Sequence, residues 1–152
     1  MQDIVPQDQA RQFMEGIQWL EESGYEQYEI SNFAKPGKRS RHNSSYWLSE
    51  KYLGLGPSAH SFNGKTRQWN IANNPRYIQS LSRNELCFEI ETLKPRDRLN
   101  EYIMTSLRTI EGLDLQHVNR EFDPEKRDQL EKNAAKYIAA EDMKKENEKL
   151  IL

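Results

Sequence analysis

The chain has 152 residues, 22 Lys+Arg against 24 Asp+Glu, and a net charge of -2, which predicts one domain or one and a half. That balance argues against wholesale nucleic-acid binding, which needs a basic excess to neutralise phosphates. A single cysteine, Cys87, excludes an intramolecular disulfide framework and fits a reducing compartment, and no apolar run reaches the length of a membrane span.

With no signal-peptide h-region either, the reading is a cytoplasmic, soluble protein, with contact to a membrane surface kept open. Apolar content of 36% is low for a free-standing domain of this size, so the chain is expected either to be a piece of a longer one or to end in mostly solvated helix. Residues 1–7 read as a loop. From Asp8, a capping residue, Ala10, Phe13, Met14, Ile17 and Leu20 recur at helical spacing up to Gly24. Tyr25 to Ile30 alternates like a strand, so the Ser-Gly join predicts the αβ handover of an α/β layer or barrel. Leu53 to His60 reads as a second strand, in which Gly54 and Gly56 require a close approach to the backbone by a ligand or a neighbouring strand. Asn73-Asn74-Pro75 opens a short helix through Tyr77, Ile78 and Leu81.

Composition shifts at Glu89 to Lys94, and the domain boundary is placed there, giving 1–92 and 93–152. Pro95 starts a helix whose buried stripe is Leu99, Ile103, Leu107 and Ile110, with Gly112 as its stop. Asp114 caps a short helix carrying Leu115 and Val118, and Asp123-Pro124 opens another with Leu130, Ala134 and Ile138 inward. Residues 141–149 are nearly all charged, and the closing Leu150-Ile151-Leu152 reads as a strand start without a partner, as in a chain cut short.

Between Ser31 and Ser61 the composition departs from ordinary core and surface rules. Lys35, Lys38, Arg39 and Arg41 cluster around a Pro-Gly turn, followed at once by His42, Asn43, Tyr46 and Trp47. An imidazole can ligate haem iron while aromatic rings pack on the porphyrin, and the cations can receive carboxylates or phosphates. The same residues also suit a backbone-bonded loop histidine, core aromatics and a solvated basic loop. Gly54-Leu55-Gly56 lacks the third glycine and the lysine of phosphate-cradling fingerprints, so nucleotide binding by that route is rejected. Glu29 stands as either a site carboxylate or an exposed strand residue. His60 has no carboxylate nearby in sequence, His117 reads as a partly exposed helix residue, and three scattered histidines give no zinc spacing.

Read together, YEISNFAKPG, SRHNSSYW and YLGLGPSAHSF resemble the oxygen-independent coproporphyrinogen III oxidase-like radical S-adenosylmethionine family, in its haem-chaperone (HemW) branch. The resemblance spans Tyr25 to about Gly112, and His42, Asn43, Tyr46 and Trp47 fill the branch's HNxxYW motif. It implies an α/β fold: the last part of a partial (β/α) barrel in 1–92, then a truncated helical domain in 93–152. It also implies haem bound by His42, Asn43, Tyr46 and Trp47 with His42 on the iron, and propionates met by Lys35, Lys38, Arg39 or Arg41. Gly56, Ser58 and His60 become contacts near a cofactor chamber. The implied partners are haem or porphyrin and a recipient haem protein, with no nucleic acid, and with self-association through exposed barrel edges. The family's iron–sulfur cluster and S-adenosylmethionine need a C-x-x-x-C-x-x-C loop, which Cys87 alone cannot supply. The alternative for the longer parent is oxidative decarboxylation of coproporphyrinogen.

Overall fold

The computed structural model describes residues 6–152. Helix α1 (Pro6–Glu22) begins earlier than Asp8 predicts, because Pro6 suits a first turn; the part of the expected loop at 1–5 lies outside the described residues. Asp8 sits in that first turn and pairs with Arg11 at 3.2 Å. The helix ends as expected at Gly24 (φ +79°): Gly24 N–H donates to Glu21 O and Tyr25 N–H to Leu20 O, the paired bonds of a Schellman motif. Its apolar stripe is only partly covered: Ile17 and Leu20 are half-buried, while Phe13 and Met14, and Trp19 beside them, are exposed.

Strand β1 (Glu26–Glu29) pairs antiparallel with β2 (Asn32–Ala34), with a register shift between Gln27 and Glu29. The other edge of β1 is tied to a distant segment. Ile30 N–H donates to Arg108 O at 3.1 Å, and Ile110 N–H to Tyr28 O at 3.3 Å. The stretch after β1 is therefore not an open loop. It holds β2, a turn with Gly37 in the left-handed region, and helix α2 (Arg41–Trp47) capped by Ser40.

The strand expected at Leu53 to His60 starts only at its end. Strand β3 is His60–Phe62, preceded by a single bridge between Tyr52 and Phe62. Gly56 (φ 104°) and Ser58 (φ 60°) break the extended backbone between them. Gly54 explains its own identity: a Cβ there would lie 2.1 Å from His60 O, so the backbone that approaches is the chain's own. β3 pairs with β4 (Thr66–Asn70), and β4 with β5 (Phe88–Thr92), all antiparallel. Helix α3 (Asn74–Ser82), capped by Asn73, bridges β4 and β5 where expected. β5 occupies the stretch where composition shifts.

Beyond it, α4 (Pro95–Ser106) starts at Pro95 but stops at Ser106, so Ile110 falls outside the stripe and is 48% exposed. Gly112 is not the helix stop; it turns the chain into β6 (Leu113–Asp114), where a Cβ would sit 2.4 Å from Leu150 O. α5 (Leu115–Glu121) and α6 (Pro124–Ala139) are capped by Asp114 and Asp123 as expected. The charged stretch forms a hairpin of β7 (Lys144–Glu146) and β8 (Lys149–Ile151), turned by Asn147 and Glu148, both with positive φ. β8 lies between β6 and β7, so the apolar closing residues are partnered: Leu150 pairs with Leu113.

The core lies in this last part. Leu99, Leu113, Leu115, Val118, Ala134, Met143 and Leu150 are buried together, with Tyr102, Ile103, Phe122, Leu130 and Ile138 packed on them. The fold class is mixed α/β as expected. Among the described residues the strands form three small antiparallel sheets and no closed barrel.

Candidate functional site

Helix α2 carries the whole HNxxYW stretch, and its helical period divides the motif into two faces. Asn43 and Trp47, one turn apart, face the body of the molecule. His42 and Tyr46, also one turn apart, face outward and are exposed. Their rings meet edge to face at 5.1 Å between centroids. Tyr46 contacts Tyr52 at 5.0 Å, and Tyr52 contacts Phe62 at 6.2 Å, so a row of rings runs from α2 onto the β3–β4–β5 sheet. His60 and Phe62 share one face of β3, and His60 stands 6.1 Å from its cross-strand neighbour Trp69.

The inward face is held by a buried carboxylate. Glu29 is 1% exposed, so it is neither an exposed strand residue nor open to a ligand. Its Oε2 accepts from Ser31 N–H at 2.9 Å and from Asn32 Nδ2; its Oε1 accepts from Arg108 Nε at 2.8 Å and Nη2 at 2.5 Å. Burial pushes its pKa up, but Ser31, Asn32 and Arg108 together outweigh that and hold it below the ordinary 4.5. Asn32 Oδ1 in turn accepts from Asn43 Nδ2 at 3.1 Å. The Arg108 guanidinium also lies 5.1 Å from the centroid of the Trp47 ring. Among the described residues Trp47 Nε1 is buried without a hydrogen-bond partner, at a cost of about 1–3 kcal/mol. The indole borders a cleft of about 470 Å³ shared with Arg39, Tyr102, Ser106 and His117. His117 is half-buried against Tyr102, with ring centroids 4.4 Å apart, as expected of a helix residue in the packed region.

The four cations fare differently. Arg39 donates to Glu111 at 2.6 Å and lies over the Tyr28 ring at 5.3 Å, so its charge is already used. Lys35 stands over the Tyr25 ring at 5.4 Å, and Lys38 and Arg41 are exposed. Among the described residues none of these three has a carboxylate partner. The glycine run is likewise occupied. Gly56 N–H donates to Tyr77 Oη at 3.2 Å, Gly56 O accepts from Asn70 Nδ2 at 2.9 Å, and Gly54 N–H donates to Ser61 Oγ at 3.0 Å. Ser58 and His60 are exposed.

Residues 93–152 match the family model of the HemN C-terminal domain. Heme chaperone HemW of Bacillus subtilis (strain 168) is 33% identical over 112 residues, covering 72% of this chain and 30% of that protein. The mitochondrial radical S-adenosyl methionine domain-containing protein 1 of Bos taurus is 34% identical over 131 residues, 79% of this chain and 29% of that protein. The chain belongs to the HemW/HemN-like family. It spans under a third of the length of these two relatives. The solved structure of coproporphyrinogen III oxidase (HemN) from Escherichia coli, a radical SAM enzyme, shares the fold with a TM-score of 0.70 at 18% identity; the match covers 98% of this chain and 38% of that one.

A radical SAM cluster of three thiolates does not fit this HemW/HemN-like chain. Cys87 is its single cysteine, and among the described residues no three His, Cys, Asp or Glu side chains converge as metal ligands. Nor, among the described residues, is any helix long and apolar enough to cross a membrane. The Glu29–Arg108 pair is the feature of this site that sequence reasoning missed. Glu29 is conspicuous at the end of a strand, but its partner is 79 residues away and carries no local signal.

Proposed function

We propose that this chain carries the haem-facing part of a haem chaperone, which binds haem as cargo and passes it to a recipient haem protein. One observation carries the reading: His42 and Tyr46 stand exposed on one face of α2, while Asn43 and Trp47 are spent holding that helix in place. His42 is then the iron ligand and Tyr46 a wall for the porphyrin face. Lys35, Lys38 and Arg41, without a carboxylate partner among the described residues, suit the propionates; Arg39 contributes through Glu111 and Tyr28 to the shape of the loop instead. Gly56 acts by shaping the loop before β3, Ser58 is exposed in that loop, and His60 shares a face of β3 with Phe62 of the ring row. In this reading 1–92 presents the cargo face and 93–152 supports it. An iron–sulfur cluster with S-adenosylmethionine would need thiolate ligands that this sequence does not contain. The relatives named heme chaperones support this assignment over oxidative decarboxylation.

The test is a haem titration followed by absorbance, wild type beside His42→Ala. A saturable Soret shift in the wild type, weakened by about tenfold or more in the variant, is expected. Equal titrations for the two proteins would remove His42 as the ligand.

A further inference from the structure

Arg108 reaches the site from just beyond α4, within the residues that match the HemN C-terminal domain. Its guanidinium has two tasks. It donates twice to Glu29 Oε1, at 2.8 and 2.5 Å, and its central carbon stands over the Trp47 ring, 5.1 Å from the centroid. From Glu29 the bonding continues through Asn32 to Asn43. Arg108 therefore grips both inward residues of α2: Trp47 directly, and Asn43 through two side chains.

Those two residues are one helical turn apart. A restraint on both fixes the helix's rotation about its axis as well as its position. His42 and Tyr46 each precede a gripped residue by one position, so the bearing of the outward face is set by the same grip. The seven-residue α2 is too short to hold a shape alone. Its neighbour β1 is itself tied to the Arg108 segment, through Ile30 N–H to Arg108 O and Ile110 N–H to Tyr28 O.

We propose that Arg108 is a positioning residue for α2, through which the C-terminal domain sets the angle at which His42 is presented to haem. The proposal rests on the haem reading above. A guanidinium suits the two tasks, because its fixed fork can give two hydrogen bonds to a carboxylate while its charge stays over an indole. An ammonium keeps the charge but cannot do both.

The experiment compares Arg108→Lys and Asn43→Ala with the wild-type chain in two measurements. Without haem, amide hydrogen exchange is expected to quicken at residues 41–47 in both variants while α6 stays protected. With haem, both variants are expected to bind about tenfold or more weakly, as metal sites do on losing an outer support. The ferric electron paramagnetic resonance signal is expected to spread into more than one population. Unchanged exchange in α2 overturns the proposal. So does faster exchange with unaltered haem affinity and an unaltered ferric signal, because the helix's bearing then does not matter to the ligand. A lowered melting temperature alone marks Arg108 as merely structural and also overturns it. A wild type that binds no haem defeats the haem reading itself, and this proposal with it; that result is distinct from a wild type whose binding is indifferent to Arg108→Lys. Should Arg108→Lys fail to fold, Asn43→Ala, which removes a neutral side chain, carries the same test.

Discussion

Glu29 has almost no contact with water, and its charge is held by the Ser31 N–H, the Asn32 amide and the Arg108 guanidinium. Because its folded pKa lies below the ordinary 4.5, the carboxylate contributes stability that is fully present above about that value and is lost as pH falls through the lowered folded value. Glu29→Gln is expected to lose about 2–3 kcal/mol at neutral pH, less than for a fully buried pair because Arg108 keeps 37% exposure. Its acid limb should also flatten. Urea unfolding from pH 3 to 7 on both proteins checks this, and parallel curves would contradict it. At this scale the sequence singled out Glu29, His42, Asn43, Tyr46 and Trp47 as notable. It did not tell inward from outward, because His42 and Asn43 are adjacent in the chain and a one-residue step on a helix turns the side chain by about 100°.

Three helix starts were legible because their caps are chemical. Asn73, Asp114 and Asp123 each accept backbone N–H bonds at the helix starts they announce. The hairpin of β7 and β8 was not, since Asn147-Glu148 lacks the glycine that usually marks a tight turn and its flanks are charged. β5 was hidden in the same way: Phe88 to Thr92 alternates apolar and acidic residues, and all five are exposed. Gly112 was misread as a helix stop because a glycine after an apolar stripe has two causes, a cap or a close backbone approach. Here it is the second. Gly112→Ala meets Leu150 O in a left-handed backbone (φ +67°) and is expected to cost about 2–4 kcal/mol, loosening β6 from β8. Gly56→Ala also has positive φ but open space, so about 1–2 kcal/mol is expected. Thermal unfolding of the two variants should rank them in that order; a Gly56 variant as damaged as the Gly112 one would contradict the backbone contact as the cause.

Across the whole molecule, the buried apolar cluster is drawn from residues 99–150, and the preceding part has little core of its own. Low apolar content anticipated this shortage, while which surface stays uncovered depends on tertiary packing. Trp19 on α1 is 67% exposed and Leu55 82% exposed, and Phe13, Met14 and Leu86 are also exposed. Apolar area of this kind favours association. Sedimentation velocity is expected to show the weight-average mass rising with concentration, and Met14→Glu with Trp19→Glu is expected to reduce that rise. A monomer at every concentration would contradict the expectation.

The central claim is that haem iron meets the imidazole on the outward face of α2. Pulsed electron paramagnetic resonance on the ferric haem complex of the chain labelled with ¹⁵N-histidine tests it most directly. A histidine nitrogen coupled to the iron, and lost in His42→Ala while His60→Ala and His117→Ala keep it, is the result this structure predicts. A coupling that survives in His42→Ala, or that vanishes with His60→Ala or His117→Ala instead, would contradict it.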